Sequence, residues 1–85
     1  MDRDYIDEMA EGAIILDGFD DCIVGISEEF GGETRIVYAK QRIIDKLIKT
    51  GLIDEEEALE YFYFNMVGGH FGKRNPIFLI TSMAV

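Results

Sequence analysis

The sequence predicts a small α+β domain: an N-terminal helix, a β-hairpin, an αα-hairpin packed on a small antiparallel sheet, and a closing C-terminal strand. Three observations carry this expectation. Residues 22–27 (CIVGIS) and 34–39 (TRIVYA) are rich in β-formers. They flank six residues containing Gly31-Gly32, the pattern of a hairpin with a loop longer than the tightest type. Residues 40–50 place Ile43, Ile44, Leu47 and Ile48 on one helical stripe, and a second helix start follows almost at once at Asp54. Pro76 then opens the apolar run 77–80, short enough for a strand and able to join the hairpin sheet. With 85 residues the chain forms one domain, residues 1–85.

Taken in order, residues 2–11 carry Tyr5, Ile6, Met9 and Ala10 at a spacing that suits a short amphipathic helix, stopped by Gly12. Residues 13–16 read as extended, and Asp17-Gly18-Phe19-Asp20-Asp21 is a turn by composition. On the first strand Cys22, Val24 and Ile26 are expected to share a face, with Gly25 marking a bulge or a close backbone approach. On the second, Ile36 and Tyr38 share one. The helix over 40–50 turns Arg42, Asp45, Lys46 and Lys49 to solvent and is capped by Gly51. Asp54 as N-cap with Glu57 three residues on is a capping-box pattern. The helix it starts holds four consecutive aromatics, Tyr61 to Phe64. Leu59, Phe62, Tyr63 and Met66 fill one stripe, which leaves Tyr61 and Phe64 facing elsewhere, and a helix apolar nearly all round is usually covered on two sides. Gly68-Gly69 ends it, the left-handed C′ position being open to glycine.

Charge narrows the partners. The net charge is −9, distributed as −10 over residues 1–33, +4 over 34–53, −5 over 54–67 and +2 over 68–85. Such a chain is repelled by nucleic acid and by anionic membrane, so neither is expected as a direct partner. The segregated signs allow charge pairing between copies. A chain this short buries only roughly 60–65% of its unfolded surface, so its large share of apolar residues points to self-association, a homo-oligomer. Cys22 is the sole cysteine, which makes a reducing, cytoplasmic setting the expectation; no signal-peptide layout and no membrane-length apolar run is present. One Cys and one His cannot complete a structural zinc site within a subunit, and no cofactor or catalytic metal is expected.

Gly18-Phe19-Asp20-Asp21-Cys22-Ile23-Val24-Gly25-Ile26, then Ile36-Val37-Tyr38, then Glu56-Glu57-Ala58 with Tyr61-Phe62-Tyr63-Phe64-Asn65, and finally Gly68, Gly72 and Pro76-Ile77-Phe78 form an ordered pattern. It resembles a family of small, functionally uncharacterised proteins of tailed phages and prophages, over residues 18 to about 79. The chain departs from the family pattern at Asn75, where threonine is usual, and at Gly69-His70, where alanine and an aromatic are usual. The resemblance implies a phage or prophage accessory protein, non-enzymatic, in the cytoplasm of a host cell; it carries over no catalytic residue.

The richest candidate site is the glycine-rich segment 68–75. Successive backbone N–H groups there can form an anion nest, His70, Lys73 and Arg74 would add positive charge, and Phe71 offers a face for stacking; Gly69 and Asn65 complete the candidate ligand set. A phosphate-bearing small molecule fits such donors. The same residues also read as a helix cap and solvated turn, whose cations answer the negative end of the helix dipole. Asp17, Asp20 and Asp21 lack calcium-loop spacing and read as a solvated turn, and Cys22 reads as a small core hydrophobe. Tyr61 and Phe64 are the candidate oligomer interface. Together these predict a non-enzymatic, oligomeric counter-defence module that sequesters a nucleotide-type immune signal. The alternative is an acidic inhibitor that mimics nucleic acid or grips a basic host protein.

Overall fold

The computed structural model describes residues 2–69 and 74–80. In chain order it contains α1 (Arg3–Met9), a 3₁₀ turn (Asp20–Cys22), β1 (Ile23–Ser27), β2 (Arg35–Ala39), α2 (Lys40–Gly51), α3 (Glu55–Tyr61), a π-helical continuation of α3 (Phe62–Val67) and β3 (Ile77–Leu79). The strands form one sheet in the order β1-β2-β3, with β2 central. No helix among the described residues is long and apolar enough to cross a membrane.

The small α+β architecture is as the sequence predicts, but the sheet is mixed rather than antiparallel. β1 and β2 form the expected hairpin, whereas β3 runs parallel to β2, pairing Val37 with Ile77, Tyr38 with Phe78 and Ala39 with Leu79. The cause lies just before β3. The Arg74 guanidinium bonds Thr34, and Arg35 Nε donates to the Asn75 carbonyl at 2.7 Å. The chain is therefore fastened beside the start of β2 before β3 begins, and from that end it runs alongside β2 in the same direction.

Local chemistry explains each boundary. Asp2 caps α1 by accepting from the Asp4 N–H at 3.2 Å, and Gly12, at φ +82°, turns the chain out of it. Residues 13–16 take no regular secondary structure. The register of the hairpin shifts between Ile23 and Gly25, so a bulge sits where Gly25 suggested one. It also corrects the expected facing: Cys22 and Ile23 are buried while Val24 is turned out to solvent, because the extra residue breaks the two-residue alternation. A Cβ on Gly25 would meet nothing within 4 Å, so the close-approach alternative does not apply. Ile36 and Tyr38 share a face as expected, and both are fully buried.

Asp54 caps α3, accepting from the Glu57 N–H at 2.8 Å. After two turns the helix widens. Asn65 Nδ2 donates to the Tyr61 carbonyl (3.2 Å), the acceptor that its own backbone N–H would take in an α-helix, and the Gly68 N–H reaches back five residues to Tyr63 O. Phe62 and Met66 stay in the core with Ala58, but Tyr63, expected on the same stripe, is 47% exposed. Gly68 is not left-handed (φ −77°); a Cβ there would lie 3.0 Å from Tyr63 O and 3.2 Å from Phe64 O, so glycine is needed for room rather than for its dihedral freedom.

The core joins Ile6 and Ala10 of the α1 segment, Cys22, Ile23, Ile36 and Tyr38 of the hairpin, Ile43 and Ile44 of α2, and Ala58, Phe62 and Met66 of α3 and its continuation. The turn between α2 and α3 holds a visible strain. Gly51 was the expected cap, yet it closes the helix and Leu52 takes the left-handed conformation (φ 54°) with its side chain 91% exposed. Leu52→Gly relieves that conformation without opening a cavity, and urea denaturation should show a gain of about 0.5–1 kcal/mol. A loss of stability would mean that the Leu52 side chain is held by something outside the monomer.

Candidate functional site

Of the residues that the sequence assigned to a ligand site, His70, Phe71 and Lys73 lie outside the described residues. Arg74, Gly69 and Asn65 are described, and the first is thoroughly engaged. Arg74 donates from Nε and Nη2 to the Thr34 carbonyl (3.3 and 3.2 Å), from Nη2 to Thr34 Oγ1 (2.7 Å), and from Nη1 to the Glu11 carbonyl. It also faces Glu33 across 3.5 Å, and its own carbonyl accepts from the Ile14 N–H. Gly12 is part of this arrangement, since a Cβ there would fall 2.6 Å from Arg74 Nη1. The guanidinium fork thus ties the α1 exit, the hairpin loop and the entry to β3 together, and these bonds engage all three guanidinium nitrogens, leaving no free fork for a phosphate. Asn65 is turned onto the helix backbone, and Gly69 is half-buried.

The structure gathers a different set of groups. A groove of about 510 Å³ runs between the π-helical segment and β3, with Arg35, Lys40, Phe62, Tyr63, Pro76 and Phe78 among its lining residues. Lys40 Nζ donates to Tyr63 OH at 2.7 Å and lies 4.9 Å from the Tyr63 ring centroid and 5.9 Å from that of Phe62. Phe62 packs edge-on against both Tyr63 (5.2 Å) and Phe78 (5.0 Å), and Phe78 lies 6.1 Å from the Tyr38 ring. Sequence reading missed this groove because its parts come from three separated segments. The one linear hint was the pair of cations bracketing the second strand, Arg35 and Lys40.

The remaining candidates are structural in character. Cys22 is buried, and burial together with the neighbouring Asp21 carboxylate pushes its thiol up to about 11, which keeps it protonated and a poor nucleophile. In the acidic turn, Asp20 Oδ2 takes Arg3 at 2.9 Å and Asp21 Oδ1 takes Lys46 at 2.8 Å. The hydrogen bond from Lys46 holds the Asp21 carboxyl below its usual range. Among the described residues no group of three or more His, Cys, Asp and Glu is placed to hold a metal ion.

The candidate oligomer residues stand open: Tyr61 is 47% and Phe64 81% exposed. With Ile53, Glu57 and Glu60 they line a shallow depression on the outer side of α3.

The geometry makes Arg74 a test between a structural and a binding role. Arg74→Ala should cost about 1–3 kcal/mol in chemical denaturation, since the part-buried Thr34 acceptors lose their donor and three segments lose their tie. Arg74→Lys should recover only part of it, because an ammonium cannot reproduce the fork. A fully stable Arg74→Ala protein would return this residue to the list of ligand candidates.

Compared with models of protein families, with curated proteins and with solved structures, the chain matches none.

Proposed function

We propose that this chain is a non-enzymatic, homo-oligomeric binding module, a counter-defence accessory protein of the phage type that sequesters a nucleotide-type immune signal in the host cytoplasm. One observation carries the oligomeric part of this reading. The segment that puts Ala58, Phe62 and Met66 into the core leaves Tyr61 and Phe64 open to solvent, 47% and 81% exposed. A helix apolar on both sides, with rings at its centre and Glu57 and Glu60 at its rim, has the composition of a protein interface. The exposed cation Arg42 of α2 supplies charge complementary to that rim in a second copy.

The non-enzymatic part draws on the state of Cys22, which is buried and protonated and so a poor nucleophile. The phage-type role rests on the resemblance of the 18–79 pattern, and nucleotide sequestration on analogy with other small phage proteins that act as sponges. A second reading, an acidic inhibitor of a basic host protein or a mimic of nucleic acid, is favoured by one feature. The acids of α1 and of the first turn of α3 are all exposed. It predicts salt-sensitive capture of a basic protein by the monomer.

Sedimentation velocity distinguishes the two. The wild-type protein should sediment as a discrete oligomer at micromolar concentration, and Phe64→Glu should sediment as a monomer with unchanged circular dichroism. A monomeric wild type would overturn the oligomeric reading.

A further inference from the structure

We infer that the groove between the π-helical segment and β3 is a binding site for an aromatic anion of nucleoside-monophosphate type, with Lys40 as its phosphate contact. The inference rests on the proposed function for its ligand class, but its location comes from the groove alone. Although the chain carries 17 acids against 8 lysines and arginines, the charged residues lining this groove among the described residues are both cations, Arg35 and Lys40. On a protein of net charge −9 that is a local inversion of sign, and it is the kind of field that draws an anion out of an otherwise repelling surface.

The placement of Lys40 adds to the field. It is the first residue of the twelve-residue α2, whose first turn holds no acid and whose N-cap, Ala39, offers no side-chain bond. The partial positive charge of that helix end therefore reinforces the ammonium rather than being neutralised. Tyr63 OH fixes the ammonium at 2.7 Å by using one of its three donors, which leaves two for a ligand. Arg35 donates from Nε to Asn75 O, and its terminal nitrogens meet no acceptor among the described residues. Arg35 opens β2 and Lys40 directly follows its last residue, five positions on, so roughly 16 Å of chain lies between them and the two cations stand at opposite ends of that strand.

Between the cations the wall is aromatic. The half-exposed Tyr63 ring and the partly buried Phe78 ring each pack edge-on against Phe62, and Pro76 also lines the groove. The half-exposed Tyr63 ring next to the ammonium it holds suits a base and its phosphate together, better than either alone. The volume of about 510 Å³ lies within the range of about 300–1,000 Å³ usual for small-molecule sites.

The test is isothermal titration of the wild-type protein with adenosine monophosphate, adenosine and inorganic phosphate, repeated on Lys40→Met and on Lys49→Met. Lys40→Met keeps the aliphatic stem and removes a cation from a helix N-terminus, so it does not threaten folding. The wild type should bind the monophosphate more tightly than either fragment. Lys40→Met should weaken the monophosphate about tenfold or more and leave adenosine unchanged, while Lys49→Met, on the exposed face of α2, should match the wild type. Equal affinity for adenosine and its monophosphate, no uptake at all, or uptake indifferent to Lys40→Met would each overturn the site. Uptake indifferent to Lys40→Met by a sedimenting oligomer would leave the binding-module reading standing, and a monomer that binds in a Lys40-dependent way would leave the groove standing.

Discussion

Tyr38 stands near the C-terminal end of the central strand with no exposed surface, and its hydroxyl accepts the Leu16 N–H at 2.7 Å. The N–H belongs to a stretch that has no ladder of its own, so without this acceptor a partly buried donor would lose its partner. Burial raises the phenol above its ordinary range, and the Leu16 bond only partly offsets that, so the hydroxyl stays neutral. On its other side the ring meets Phe78 of β3, which meets Phe62 of the π-helical segment. One side chain thereby joins the irregular N-terminal stretch, both neighbours of the sheet and the helix that forms the groove wall. Arg74 makes the matching tie at the other end of β2, and the two together set where β3 enters and which way it runs.

What was legible in the sequence was what local periodicity decides. The stripe of Ile43, Ile44, Leu47 and Ile48, the Asp54 cap, the glycine-containing hairpin loop and the shared face of Ile36 and Tyr38 all follow from neighbours a few residues apart. The direction of β3 does not, because it depends on Arg74 and Asn75 meeting Thr34 and Arg35 across forty residues of chain. The outward turn of Val24 follows from where the bulge falls, and the exposure of Tyr63 from the side chain of Asn65 competing with its own backbone. Neither is a property of composition.

The site was legible only as chemistry, not as place. The segment 68–75 reads as a cluster of cations and glycines, which is correct as an inventory, yet Arg74 turns inward to hold the fold. The groove draws its cations from the starts of β2 and α2 and its rings from the π-helical segment and β3, so no linear window contains it. The π-helical stretch is what separates the roles of neighbouring rings: Phe62 closes the core, Tyr63 holds Lys40, and Phe64 faces solvent. Among the described residues a groove lined by cations and an uncovered aromatic face on α3 lie on an otherwise acidic chain, and that contrast is the basis of the functional reading.

The account depends most on the Tyr38 hydroxyl as the fastening of the N-terminal stretch. Amide hydrogen exchange at Leu16, compared between the wild type and Tyr38→Phe, measures it directly. The account predicts a Leu16 amide protected in the wild type and fast in the variant, with the β1–β2 ladder amides still slow. A Leu16 amide that exchanges equally in both proteins would contradict it.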